Sequence, residues 1–318
     1  MAHVAESIDG VLSSGERTAT IAGVRIDSLG FDAVVHEIIA RAVSGAEPSY
    51  VVTPNAHHVV VFQDDAHFRE IYRQAFLVVP DGVSLLWAGK LLGTHLHERV
   101  NGTDLFEALC AKAARLGLRV FLFGGREGAA SEAAARLVSR HPGLQICGVY
   151  CPPFGFENSP LESEAALAAV SSCRPDLLFV GLGAPKQEYW MHRHLERLMV
   201  PVSVGVGVSF EFVAGVVARA PRWMQRAGLE WLYRLCAEPG RLWKRYLVGN
   251  VRFCMLIAWQ YVVQRRQGMS QAKTPTRSDA GTSSETLVDE NSVRAKRRYL
   301  LEPWHLLADA LLPEPKQK

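Results

Sequence analysis

The chain is poor in the signatures that most often mark a function. Its six cysteines (Cys110, Cys147, Cys151, Cys173, Cys236, Cys254) form no CxxC pair and no zinc-finger spacing, which argues against a cysteine-based metal module. Several lie in apolar runs, which suits reduced, buried thiols in a cytosolic protein. There is no GxGxxG and no GKS/T, so a classical dinucleotide or P-loop site has little support. There is no Asp-x-Asp of the kind that holds a metal–nucleotide pair, and no metal site is expected. No run approaches the roughly 20 apolar residues of a membrane span; the best, Val251–Val263, is short and contains Arg252 and Gln260. The first residues carry Glu6, Asp9 and Glu16 without an apolar stretch, so no signal peptide is expected. The net charge of +3 is small and no basic-aromatic motif stands out, so nucleic acid is not an expected partner.

What is present is a repeated strand-to-turn pattern. Five apolar segments read as strands: Ser49–Val52, Phe76–Val79, Arg119–Phe123, Leu177–Val180 and Pro201–Val206. Each ends in a polar or glycine-rich turn: Thr53-Pro54-Asn55, Pro80-Asp81-Gly82, Gly124 to Gly128, Gly181 to Glu188, and Gly207. Short unbroken apolar runs suit parallel strands covered on both faces. Alternation with helices predicts an α/β fold with a Rossmann-like parallel sheet. The turns should then gather along the carboxyl edge of the sheet, where such folds bind ligands.

Residues 1–18 read as a flexible tail and 19–217 as the α/β domain. Helices are expected over Phe31–Val43, Asp65–Ala75, Val83–Leu92 and Thr103–Leu116, the last with Thr103 as N-cap. Further helices fall near 127–140 and 161–172. Residues 218–266 read as a basic, amphipathic helical appendage. Within it, Ala218–Arg252 holds eight cations against two acids, Glu230 and Glu238, interleaved with Trp223, Trp231, Tyr233, Trp243 and Tyr246. Such helices suit an anionic membrane surface; packing of the aromatics on the α/β core is the other reading. Residues 267–318 are largely polar and read as disordered, with one apolar patch at Tyr299–Leu307 that could form a short helix.

The turns offer chemistry. Asp81 follows a fully apolar strand, and a partly desolvated carboxylate there could act as a general base; Pro-Asp-Gly is also ordinary turn chemistry. Thr53 and Asn55 could hydrogen-bond a sugar or base. Arg99 offers a fork for a diphosphate. Lys186, Gln187 and Glu188 crowd a helix start, where Pro185 suits the first helical position and free N–H groups favour phosphate. His57 and His58 read as structural. Together these describe a metal-poor site for a phosphorylated, hydroxyl-rich ligand.

The ordered set Thr53-Pro54-Asn55, Val78 to Gly82, Glu98 to Asp104, Gly181 to Glu188, Gly205-Val206-Gly207 and Ala220 to Arg234 resembles the WecG/TagA/CpsF family of glycosyltransferases over roughly residues 20–250. The resemblance implies inverting, metal-independent, cofactor-free transfer from a UDP-sugar to a polyprenyl-diphosphate-linked sugar in cell-surface polysaccharide assembly. It implies Asp81 as general base, with Thr53, Asn55, Arg99, Asp104, Gly183, Lys186, Gln187 and Glu188 around the substrate. Arg234, Arg241 and Arg245 match basic positions of an appendage that binds the membrane and steadies the departing diphosphate. The expected donor is of the UDP-N-acetylmannosamine type; UDP-glucose in exopolysaccharide assembly is the alternative, and a non-catalytic scaffold binding lipid-linked sugar is another. A nucleotide-sugar epimerase or dehydrogenase is disfavoured by the missing GxGxxG. The implied location is cytoplasmic, at the inner face of the cell membrane. A homo-oligomer remains open, because an apolar basic appendage off the membrane needs covering.

Overall fold

The computed structural model describes residues 17–272; the expectations for residues 1–16 and 273–318 lie outside that range. Thr18–Ile21 (β1) and Val24–Asp27 (β2) pair as an antiparallel hairpin. Its two-residue turn, Ala22-Gly23, has both φ angles positive (48° and 82°), the geometry that matches strand twist in tight hairpins. The hairpin is additional to the five expected strands, and Thr18, assigned to the tail, belongs to it. Helix α1 (Phe31–Ser44) follows and buries Val34, Val35, Ile38 and Ile39, as its periodicity predicts.

Six strands build one parallel sheet: β3 (Tyr50–Val52), β4 (Leu77–Val78), β5 (Arg119–Gly124), β6 (Gln145–Tyr150), β7 (Leu177–Gly181) and β8 (Val202–Gly205). Their order is β4-β3-β8-β7-β5-β6. Five correspond to the predicted strands; β6 is new. The connecting helices are α2 (Ala56–Asp64), α3 (Ala66–Gln74), α4 (Val83–Leu92), α5 (Gly102–Leu116), α6 (Ala129–Arg140), α7 (Pro160–Cys173), α8 (Lys186–Arg193), α9 (Leu195–Leu198) and α10 (Ser209–Val213). Both sheet faces are apolar, as burial between helical layers requires. Val51, Leu77, Val120, Leu122, Phe179 and Val204 pack with α1, α5, α6 and α10. Tyr50, Val52, Val78, Phe121, Phe123 and Val180 pack with the hairpin, α2, α3, α7 and α8.

Two helix starts differ from expectation. Asn101, not Thr103, caps α5: its side-chain oxygen accepts from the N–H groups of Thr103 (3.0 Å) and Asp104 (3.3 Å). Pro185 precedes the first turn of α8 rather than opening it. All six cysteines are free, but only Cys110 is buried; Cys151, Cys236 and Cys254 are exposed.

The appendage consists of α11 (Arg222–Arg226), α12 (Glu230–Ala237), α13 (Pro239–Trp243), a π-helical stretch (Lys244–Val248) and α14 (Gly249–Ala272). Val251–Val263 therefore lies inside a long helix that continues past the expected boundary at 266. Contrary to the expectation that no run approaches a membrane span, Lys244–Gln267, which joins the π-helical stretch to most of α14, is by length and composition long and apolar enough to cross a membrane, with mean hydropathy 1.2. One face of it packs on the α/β body. Phe253, Leu256 and Ile257 enter the core, and Arg252 holds both oxygens of Asp64 at 2.5 Å. Gln260 accepts from the Ala22 N–H (2.7 Å) and donates to the Thr20 carbonyl (3.2 Å). The remaining face leaves Val251, Met255 and Val262 exposed.

Candidate active site

All strands of the main sheet run parallel, so their carboxyl ends share one edge. The turns after β3, β4, β7 and β8, with the start of α5, line a polar cavity of about 370 Å³ at that edge. The turn after β5, expected to join them, is not part of its wall. There the Arg126 N–H donates to Glu211 (3.0 Å) and the Arg126 guanidinium pairs with Glu238, between α12 and α13 (2.7 Å).

Asp81 stands at the cavity's inner rim. Its Oδ1 accepts from Asn101 Nδ2 (3.0 Å) and from the Gly102 N–H (3.3 Å). Its Oδ2 makes no hydrogen bond to a described residue. One oxygen is thus anchored and the other is free to take a proton. Loss of water around the group raises its carboxyl above the usual range, Arg99 opposes that rise, and Glu230 adds to it.

Arg99 is fixed on three sides. Its Nε donates to the Asp81 carbonyl (2.7 Å), its Nη2 donates to Glu230 (2.7 Å), and the same Nη2 lies 3.9 Å from Asp81 Oδ1. Asp104 lines neither of the two cavities at the site; it pairs with Arg219 at 2.6 and 3.1 Å. Arg219 also donates to Asn101 Oδ1 (2.9 Å), so Asp104 acts on the site through the residue that anchors Asp81.

The remaining expected residues divide. Thr53 donates its hydroxyl to the Gly205 carbonyl (3.2 Å). Asn55 caps α2 through Oδ1, accepting from the His57 N–H (3.0 Å), and lines the cavity. Gly183 lies on the rim at φ +76°, a conformation that favours glycine. Lys186 lines the mouth, paired with Glu157 (2.5 Å) and over the Phe154 ring. Gln187 is buried, and both ends of its amide are engaged. Its Oε1 accepts from the Gly207 N–H (3.0 Å) and its Nε2 donates to Glu188 Oε1 (2.7 Å). A side chain at Gly205 would come within 2.6 Å of that Nε2, so glycine lets the amide reach the turn. Glu188 is fully buried below the cavity beside His58, whose Nδ1 pairs with the Tyr72 hydroxyl (3.0 Å). Burial pushes the Glu188 carboxyl up to about 7.

A second cavity, about 510 Å³ and mainly apolar, opens from the same point. Trp87 and Leu91 of α4, Trp231 of α12, and Phe253, Cys254 and Ile257 of α14 form its walls. Asn55, Asp81, Asn101, Glu230, Arg234 and Arg245 line both cavities. Arg234 and Arg245, the appendage arginines that the resemblance singles out, thus line the same two cavities as Asp81. Arg241 lies on α13, its side chain outside the described set. Among the described residues no group of three or more His, Cys, Asp or Glu has metal-holding geometry.

Asn101, Glu230, Arg219 and the apolar wall were not singled out by the sequence. Asn101 and Glu230 sit inside the matching motifs, and the only signal was their presence there.

The fold and site define an α/β enzyme working at the carboxyl edge of a parallel sheet. The chain belongs to the WecG/TagA/CpsF family of glycosyl transferases, whose model matches residues 19–267. It is similar to proteins named N-acetylglucosaminyldiphosphoundecaprenol N-acetyl-beta-D-mannosaminyltransferase. The one from Bacillus spizizenii is 32% identical over 200 residues, covering 63% of this chain and 75% of that protein. The one from Bacillus subtilis is 31% identical over 184 residues, covering 58% and 69%. That from Staphylococcus aureus is 29% identical over 219 residues, covering 69% and 81%. The protein is a glycosyltransferase.

Proposed function

We propose that this enzyme transfers a sugar of the N-acetylmannosamine type from a UDP-sugar to a polyprenyl-diphosphate-linked N-acetylglucosamine, at the membrane face where cell-surface polysaccharide is assembled. The observation that supports this most directly is the meeting of a polar and an apolar cavity at Asp81. The polar cavity suits the nucleotide sugar, and the apolar one suits the first isoprene units of the acceptor.

In this reading Asp81 Oδ2 takes the proton of the acceptor hydroxyl. The hydroxyl oxygen bonds to the anomeric carbon while the bond from that carbon to the diphosphate breaks. UDP leaves with the electron pair, and one displacement turns an α-linked donor into a β product. Arg234 and Arg245 offset the charge developing on the diphosphate without a metal. The relatives' names favour N-acetylmannosamine over glucose as the sugar.

The test is UDP release by the purified full chain in EDTA. It is given a lipid-diphosphate-N-acetylglucosamine acceptor and a panel of UDP-sugars. Acceptor-dependent release with UDP-N-acetylmannosamine, lost in Asp81→Ala, is the expected result. Release only with UDP-glucose would replace the donor assignment, and undiminished release by Asp81→Ala would remove the mechanism.

A further inference from the structure

Arg99 sits between two carboxylates and favours one. Its Nη2 is 2.7 Å from Glu230 Oε2 but 3.9 Å from Asp81 Oδ1. Glu230 belongs to the appendage, 131 residues along the chain from Arg99. The pair is well shielded, with Arg99 and Glu230 side chains 18% and 17% exposed, so their attraction is not a screened surface contact. Glu230 makes this contact from the first turn of α12, at the seam where the two cavities join.

We propose that Glu230 is a positioning residue: docking of α12 lays its carboxylate on Arg99, holds that guanidinium off Asp81, and so leaves the Asp81 carboxylate able to accept the proton of the incoming hydroxyl. This rests on the reading of Asp81 as the base. Without Glu230 the guanidinium has one carboxylate left to satisfy, and a shift of about an ångström would close a charge-assisted pair on Asp81. A carboxylate held in such a pair is a weaker base. The other charged or titratable groups that share a cavity or interact with Asp81 are Arg234 of α12, Arg219 before α11, Arg245 of the π-helical stretch, His57 and His58 of α2, and Lys186 of α8. Arg219 is already held by Asp104 and Asn101. The appendage thus both covers the site and sets the strength of its base, so undocking it would weaken catalysis at the proton-transfer step as well as at the departing diphosphate.

The direct experiment is a carboxyl-¹³C aspartate titration of the full chain, in which the Asp81 resonance is the one missing from Asp81→Asn. Glu230→Gln removes a repulsive charge and frees Arg99, so both effects act in one direction. The Asp81 midpoint should fall by about one pH unit or more, and the acidic limb of kcat/KM should move down with it. Glu230→Asp, which keeps the charge, should restore most of the wild-type midpoint. If Glu230→Gln does not fold, Arg99→Gln reads the same balance from the other side and should raise the midpoint. An unmoved or raised midpoint in Glu230→Gln, or a lowered one in Arg99→Gln, overturns the proposal. The titration needs no turnover. An active Asp81→Ala with a shifted midpoint would therefore remove the base assignment alone, and an inactive one with an unmoved midpoint would remove only the role of Glu230.

Discussion

Asn101 joins a helix cap to Asp81, the proposed base, through a single side chain. Its Oδ1 accepts from N–H groups in the first turn of α5 and from Arg219, while its Nδ2 donates to Asp81 Oδ1. Loss of an N-cap costs about 1 kcal/mol, so Asn101→Ala should lower stability in urea by roughly that amount. Its effect on catalysis should be larger and fall on kcat rather than KM, because the anchored oxygen loses its side-chain donor. Asn101→Asp separates the two roles: a carboxylate still caps, but it brings a like charge to Asp81 and removes the donor. Both changes raise the Asp81 carboxyl, so the acidic limb of the pH–rate profile should move to higher pH while stability changes little. A limb that stays in place in that variant would show that Asn101 serves only the helix.

At the scale of elements, legibility followed burial. β3, β4, β5, β7 and β8 stood out because each is an apolar run flanked by turn residues, buried on both faces. β6 did not, because Gln-Ile-Cys-Gly-Val-Tyr is an edge strand whose residues are only half-buried. The hairpin strands are four residues each, too short for alternation to register. The turns marked most of the residues that line the polar cavity, but spacing could not show which polar groups face it and which satisfy the fold. Gln187 and Glu188, at the start of α8, are the clearest case: both are buried and hydrogen-bonded to one another, and Gln187 also accepts from the Gly207 N–H after β8. That burial has a pH signature. Glu188 is raised from 4.5 to about 7, so its contribution to stability is present below about pH 4.5 and is lost as pH rises through 7. His57 is lowered from 6.5 to about 4 by burial and then by Arg245; its contribution is present above pH 6.5 and lost as pH falls towards 4. The two oppose each other across the acidic range. Glu188→Gln keeps an acceptor for Gln187 and removes one of the two slopes. Its stability relative to wild type should climb from pH 5 to pH 8, by up to about 3 kcal/mol. Melting curves of both proteins across that range provide the check, and a constant difference would mean that Glu188 ionises in the folded protein as it does in the unfolded one.

The whole molecule sorts the appendage's charges by partner. Between residues 218 and 252 its only acids, Glu230 and Glu238, both turn inward to arginines of the α/β body. Arg219 and Arg252 pair with body carboxylates as well, and Arg234 and Arg245 line the cavities. Arg222, Arg226 and Lys244 are exposed and form no ion pair among the described residues. Trp223 and Trp243 beside them are 64% and 38% exposed. Composition alone left the basic helices divided between packing on the core and lying on a membrane. The structure shows α14's Phe253, Leu256 and Ile257 in the first use and these cations and tryptophans exposed; the proposed use of the latter is contact with an anionic membrane. Near an anionic bilayer each such cation contributes about 1 kcal/mol. Replacing Arg222, Arg226 and Lys244 together by Gln should therefore lower partitioning onto vesicles rich in phosphatidylglycerol by about a hundredfold in low salt. Binding to neutral phosphatidylcholine vesicles, which depends on Trp223 and Trp243, should be little changed. Because none of the three cations lines either cavity, turnover of a short, water-soluble acceptor should persist. Sedimentation with both vesicle types distinguishes the cases. Equal loss on both would point to a disrupted appendage, and no loss on the anionic ones would mean that this cationic surface does not face the bilayer.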